Sequence, residues 1–207
     1  MLQEIQFRQL QNDYQRRVNE TTQTYKRYLY HQINWDARLI CIRGARGTGK
    51  TTMLLQYIKE HYPDMSKALY ISLDSFSFQL FTLYDVAEYA YTHGIEALFV
   101  DEVHYAQNWG QMLKNVFDSF SGLKIVYTGS SMLQLDEAQA DLSRRQTVYD
   151  LQGFSFREYL LFNGLYEHEP VDLEYVLHHH STLASEVTSA IKPLMYFNEY
   201  LRQGYYP

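Results

Sequence analysis

Residues 44–51 read Gly-Ala-Arg-Gly-Thr-Gly-Lys-Thr. The octet fills the pattern G-x-x-x-x-G-K-[ST] completely, with Gly44, Gly49, Lys50 and Thr51 at the fixed positions. Its chemistry is phosphate binding. The backbone N–H groups of Gly44, Ala45, Arg46, Gly47, Thr48, Gly49, Lys50, Thr51 and Thr52 can wrap around phosphate oxygens. Glycine lets the chain approach closely and adopt positive φ without a Cβ clash. The unpaired N–H groups at the start of a following helix add to the cradle. Lys50 can reach the β- and γ-phosphates of a nucleotide, and the Thr51 hydroxyl can hold Mg²⁺.

Phosphoryl transfer also needs a metal-side carboxylate and a base. Ala97-Leu-Phe-Val100 is a short apolar run that ends in Asp101-Glu102, about fifty residues past the loop. A carboxylate at the tip of a buried strand suits the water shell of Mg²⁺, which assigns Asp101 to the metal side. A neighbouring carboxylate can orient and deprotonate water, which assigns Glu102 as general base. A third run, Lys124-Ile-Val-Tyr-Thr128, leads into Gly129-Ser130-Ser131. In the sheet order usual for this class its end lies between the loop and the acidic strand. Thr128 or Ser130 could then hydrogen-bond the γ-phosphate or the lytic water. A polar turn with Ser130 as a helix cap is the equal alternative.

These residues need a scaffold of alternating elements. Strands are expected near 38–43, 68–73, 97–100, 124–128 and 146–151, and alternation with helices implies a parallel α/β sheet covered on both faces. Thr51–His61 carries Met53, Leu54, Tyr57 and Ile58 at helical spacing, with Pro63 as a stop. Trp109, Leu113, Val116, Phe117 and Phe120 mark an amphipathic helix, with Asn108 and Gln111 resembling a capping box and Gly122 as its end. Ser155-Phe-Arg-Glu158 is a second capping box that starts a helix through Phe162. Residues 2–33 read as helical, with Leu2, Ile5, Leu10 and Tyr14 on one face and Tyr25, Leu29 and Ile33 on another. Residues 172–203 read as helical too.

The 207 residues suit one domain of about 150 residues plus part of another. Hydrophobic content of 46% supports a packed core, and a net charge of −6 gives no overall attraction to nucleic acid. The one cysteine, Cys41, lies in the first apolar strand and reads as a buried reduced thiol. No apolar stretch approaches the ~20 residues of a membrane span, and no signal-peptide core is present, so a cytoplasmic protein is expected. Three features invite other readings. His178-His179-His180 occupy consecutive helical positions that point in different directions, which suits a solvated face better than a metal site. The 20 tyrosines are scattered, which suits packing better than base stacking. Asp101-Glu-Val-His104 spells a DExH helicase signature, but the rest of the chain is too short for a second motor domain.

Taken together, GARGTGKTTMLLQY at 44–57, ALFVDEVHYAQNWGQMLK at 97–114, IVYTGSS at 125–131, LQGFSFREYL at 151–160 and YLRQGYYP at 200–207 resemble the prokaryotic AAA-type P-loop ATPases that carry an uncharacterised C-terminal domain. The resemblance covers roughly residues 25–207. It implies a P-loop NTPase core with strand order 5-1-4-3-2, in which Thr128 to Ser130 sense the γ-phosphate. It also implies an arginine near 144–145 that approaches a nucleotide phosphate. Arg145 matches the family arginine, while Arg144 stands where the family has glycine. The winged-helix or nuclease-like domain that follows in such proteins would begin at the end of this chain.

The expected organisation is an N-terminal helical segment (1–24), an ATPase domain (25–165) and the helical start of a truncated C-terminal region (166–207). Apolar residues Ile191, Leu194, Phe197 and Leu201 with the aromatic tail Tyr205-Tyr206 support the reading of a fragment whose last segment packs on something else. The leading functional expectation is ATP binding and Mg²⁺-dependent hydrolysis coupled to conformational change. The alternative is a nucleotide-gated binding switch with negligible hydrolysis, acting on DNA. A DNA or protein client and self-association stay open as partners. ATP rather than GTP rests on the resemblance, because no guanine-reading Asn-Lys-x-Asp motif is present.

Overall fold

The computed structural model describes residues 4–75, 81–130 and 142–207. Ser131 and Leu2 lie outside the described residues. The chain divides into two compact units, 1–151 and 152–207. The sequence places that boundary at 165/166 instead; the helix of residues 156–162 falls in the second unit.

The first unit is built on five short strands: β1 (Leu39–Arg43), β2 (Ala68–Ser72), β3 (Ala97–Asp101), β4 (Lys124–Gly129) and β5 (Thr147–Asp150). All four pairings are parallel and the order is β2-β3-β4-β1-β5. Read from the other edge this is the expected 5-1-4-3-2. β1, β3 and β4 read as continuous apolar runs because each is covered on both faces. Leu98, Phe99 and Val100 are fully buried, and each such side chain stabilises the fold by roughly 1.5–3 kcal/mol. Cys41 is buried and free within β1, and burial pushes its thiol up to about 11.

Helices α3 (Lys50–His61), α4 (Leu83–Thr92) and α5 (Trp109–Ser119) return the chain from each strand end to the next strand start. Met53, Leu54, Tyr57 and Ile58 of α3 are buried, as their spacing requires. α4 starts in a reciprocal capping box between Thr82 and Asp85. α5 buries Trp109, Leu113 and Val116, while Phe117 lies half-buried under the Arg38 guanidinium, 3.8 Å from its ring centre. The expected capping box at its start is absent. Asn108 sits at φ 54°, a left-handed conformation in which its side chain makes no cap hydrogen bond, and Gln111 bonds Asn115 instead. The helix closes at Phe120, whose N–H bonds the Val116 carbonyl, before Gly122 is reached.

The N-terminal region is two helices, not one. α1 (Glu4–Glu20) buries Phe7, Leu10, Tyr14 and Val18, and α2 spans Tyr28–Gln32. The break between them exposes backbone carbonyls that α3 captures. Gln56 Nε2 donates to the carbonyls of Thr22 (2.9 Å) and Tyr25 (2.7 Å), and Lys59 Nζ donates to those of Asn19 (3.0 Å) and Thr21 (2.7 Å). Helical periodicity alone does not reveal this exchange of intrahelical for tertiary bonds.

In the second unit α6 (Phe156–Phe162) begins at the expected capping box of Ser155 and Glu158. α7 (Leu173–Ala190) and α8 (Pro193–Gln203) lie within the stretch expected to be helical, 172–203. Pro193 disfavours helical backbone at the preceding residue, so the chain breaks at Ile191-Lys192. The Tyr200 hydroxyl donates to the Phe154 carbonyl (2.6 Å), and the Phe154 N–H donates to Tyr205 O (2.7 Å). The Tyr205 ring lies on Gly153, where an added Cβ would come within 2.4 Å of it. Leu173, Leu177, Leu194 and Leu201 are exposed, as are His178, His179 and His180.

Candidate functional site

In a parallel sheet every strand ends on the same side. The ends of β1, β3 and β4 therefore bring their following residues together at the carboxyl edge. β4 lies between β1 and β3, as the order requires.

The loop from Gly44 to Gly49 leaves β1 and enters α3. Gly44 has no room for a side chain: a Cβ there would lie 2.1 Å from the Leu151 carbonyl oxygen. Gly47 (φ 84°) and Gly49 (φ 91°) are left-handed, which side-chain-bearing residues rarely tolerate. Thr48 is buried and brackets the loop by donating its hydroxyl to the Ala45 carbonyl, 2.8 Å. Ala45, Arg46 and Gly47 form the exposed tip, and Thr52 is exposed on the first turn of α3. Lys50 is only 4% exposed. Its ammonium donates to the carbonyls of Gly44 (2.9 Å) and Ala45 (3.0 Å) and lies 3.8 Å from Glu102 Oε1. Burial lowers its pKa, while Glu102 and then Asp101 oppose that shift.

The Asp101 carboxylate is the hub of the edge. Its Oδ2 accepts from Thr51 Oγ1 (2.5 Å) and from the Tyr70 hydroxyl (2.8 Å), and its Oδ1 accepts from Thr128 Oγ1. Three hydroxyls thus donate to one buried carboxylate. Thr128 Oγ1 also accepts from the Glu102 N–H, 3.1 Å. Glu102 itself is left-handed (φ 53°, ψ 51°), an uncommon conformation for glutamate that turns its side chain off the line of β3. The Ser130 hydroxyl lies 3.5 Å from His104 Nε2.

This arrangement fits a nucleotide triphosphate with Mg²⁺. The glycine geometry leaves loop backbone free to face phosphate oxygens, and the Thr51 hydroxyl and Asp101 carboxylate are hard oxygen donors already within 2.5 Å of each other. Lys50, Thr51, Asp101, Glu102, Thr128 and Ser130 are therefore gathered on one edge. Arg145 is not. It precedes β5, whose Thr147 pairs with Ile40 and whose Asp150 pairs with Arg43. Arg145 lies in the turn that leads into the amino end of β5. There its guanidinium grips Asp118 of α5 through two bonds, 3.1 and 3.2 Å.

Two contacts escape a reading of the sequence. Tyr70 reaches Asp101 because β2 and β3 pair with Ser72 opposite Asp101, and residues two apart on a strand share a face. The apolar run around Tyr70 carries no sign of it. Arg27, before α2, donates to the Thr48 carbonyl of the loop. No spacing rule links residues so far apart in the chain.

Comparison with known proteins bears on the family and the fold. The family model described as an AAA domain matches residues 36–160. The uncharacterized protein MJ1637 of Methanocaldococcus jannaschii is 36% identical over 133 residues, covering 59% of this chain and 27% of that protein. The uncharacterized protein MJ1544 of the same organism is 28% identical over 171 residues, covering 80% of this chain and 35% of that protein. The chain spans roughly a quarter to a third of the length of these relatives. Among solved structures, an S. cerevisiae Hsp104-ADP complex shares the fold at a TM-score of 0.53 and 18% identity, over 80% of this chain and 26% of that one. No helix among the described residues is long and apolar enough to cross a membrane.

Proposed function

The chain belongs to the AAA domain family, and on that premise we propose that its carboxyl-edge site binds ATP with Mg²⁺ and hydrolyses it. The hydrogen bond from Thr51 of the phosphate loop to Asp101 of the acidic strand carries this reading. It joins the two halves of the site in the register that a bound nucleotide needs. Mg²⁺, when bound, would neutralise charge on the phosphate oxygens, with Thr51 and Asp101 as the residues that would hold it.

The chain's own residues supply the rest. The N–H groups of the loop and the first turn of α3 bind the phosphates. Lys50 exchanges its contacts with the Gly44 and Ala45 carbonyls for the β- and γ-phosphates. Glu102 takes a proton from water as the water oxygen attacks the γ-phosphorus and the bond to ADP breaks. Thr128 fixes the Glu102 backbone, and Ser130 is the proposed γ-phosphate contact. Arg145 is too far from its own chain's loop to help there, so its proposed role is toward the site of a neighbouring copy.

That placement also supports a second reading. An isolated copy acts as a nucleotide-held switch with negligible turnover, and hydrolysis appears on self-association. Phosphate release against protein concentration, with Mg²⁺ and with chelator, tests both. Turnover that rises with self-association and vanishes on chelation is expected. Concentration-independent turnover would remove the neighbour from the mechanism.

Lys50→Ala removes contacts worth roughly 1.5–3 kcal/mol each. Isothermal titration with Mg-ATP should show affinity falling by at least about tenfold. An unchanged affinity in the folded variant would overturn the assignment of the loop.

A further inference from the structure

The short turn Val103–Tyr105 follows the left-handed Glu102 and folds the chain back on itself. Val103 is fully buried and pins the turn, so the side chains of Glu102 and His104 converge. His104 Nδ1 lies 3.3 Å from Glu102 Oε2, and each side chain is 15% exposed. Both of these atoms are buried and otherwise lack a hydrogen-bond partner. On the other side of the ring, Nε2 faces the Ser130 hydroxyl at 3.5 Å. A buried carboxylate oxygen, an imidazole and a hydroxyl thus stand in line. One assignment of protons satisfies all three: Nδ1–H donates to Glu102, and Nε2 accepts from Ser130.

The need for such a contact follows from Lys50. The Lys50 ammonium lies 3.8 Å from Glu102 Oε1. Binding a triphosphate turns that ammonium toward the phosphates. The left-handed backbone at Glu102 then leaves the carboxylate without a charged neighbour on the loop side. His104 is the side chain placed to keep it aimed.

We propose that His104 is a positioning residue, which holds the Glu102 carboxylate through Nδ1–H and links it through Nε2 to Ser130. This rests on the ATPase reading above. Its consequence is that the base and the residue beside the γ-phosphate move as one unit. Ser130 reports the occupant of the γ-position to Glu102 through a single imidazole ring.

Two measurements test this. In nucleotide-free wild-type protein, two-bond ¹⁵N–¹H correlation spectra should show His104 protonated at Nδ1. An Nε2–H tautomer would overturn the contact with Glu102, whether or not the protein hydrolyses ATP. In steady-state kinetics, His104→Ala should lower kcat by about 10–100-fold, the usual cost of losing an outer partner of a catalytic group. KM for ATP should change by less than about threefold, since no contact to nucleotide is lost. Asn carries its N–H₂ near the position of Nδ1, whereas Gln carries it near Nε2. His104→Asn should therefore recover more of kcat than His104→Gln. Equal loss in Asn and Gln variants, or an unchanged kcat in the Ala variant, would overturn the positioning role. Absence of hydrolysis in wild type beside an Nδ1–H spectrum would sink the ATPase reading and leave the contact standing.

Discussion

The two edges of the sheet use charge in opposite ways. At the amino edge Arg38 and Arg145 are committed to the fold. Arg38 donates to the carbonyls of Phe117, Phe120 and Leu123, which closes the end of α5 against the start of β1. Arg145 grips Asp118 through two bonds. At the carboxyl edge the charged groups converge on one another instead. Asp101 takes three hydroxyls, Lys50 leans on its own loop, and Glu102 Oε2 faces His104 Nδ1 at 3.3 Å. The difference separates groups that close secondary structure from groups that gather on one another at the strand ends.

The largest expected effect would break that contrast. Arg145→Ala should slow hydrolysis by about 10³–10⁵-fold if its guanidinium serves a neighbouring site, because such an arginine stabilises charge that grows in the transition state. Nucleotide affinity should hardly change. Mixing Arg145→Ala protein with Glu102→Gln protein should recover activity, since each copy then supplies what the other lacks. An inert mixture of verified mixed oligomers would confine Arg145 to its bond with Asp118.

Glu102→Gln should sharpen the contrast. The amide keeps a hydrogen-bond acceptor but takes no proton, and loss of a general base costs about 10²–10⁴ in rate. Binding of Mg-ATP by titration should persist. Wild-type turnover in this variant would make Glu102 a structural residue like those of the other edge.

Tyr70→Phe should have a moderate effect. Tyr70 is 3% exposed, and burial, followed by the Asp101 charge, pushes its phenol well above the usual range, so it stays a donor. Removing a hydrogen bond to a buried carboxylate costs roughly 1.5–3 kcal/mol, read by denaturant unfolding. The Mg²⁺ concentration for half-maximal turnover should rise as well. Loss of stability alone would place Tyr70 with the scaffold.

Asp118→Asn should have the smallest effect on the fold. The Asp118 and Arg145 side chains are 47% and 32% exposed, so solvent screens the pair and its loss costs at most about 1 kcal/mol. Thermal unfolding checks this. A much larger loss would mean that the amino edge depends on this pair for more than a surface contact.

Much of the carboxyl edge is legible in the sequence because its chemistry is local. Gly44 to Thr51 must be contiguous to wrap one phosphate, and Asp101 must directly follow a buried run to reach the edge. The expectations for β1 to β4 fall within about two residues of the observed bounds for the same reason: covered strands carry apolar runs. The capping box at Ser155 is likewise four residues of self-contained geometry. The one expected at Asn108 fails because a left-handed backbone is set by the packing of the turn before it, which residue types do not encode.

Other features arise only when distant segments meet. Between α1 and α2, in the stretch expected to be helical, Gln56 and Lys59 donate to backbone carbonyls from another helix. Tyr70 touches Asp101 through strand register, and Arg27 reaches the loop across the fold. Arg145 lies at the amino edge because β5 runs parallel to β1, a fact of topology invisible in its own neighbourhood. The sequence by itself determined the phosphate loop, the acidic pair and the alternation of strands and helices, since each depends on neighbours along the chain. The tertiary structure decided which side chains complete those motifs and which arginine stands away from them. Those choices depend on contacts between residues tens of positions apart, and a local pattern carries no record of such contacts.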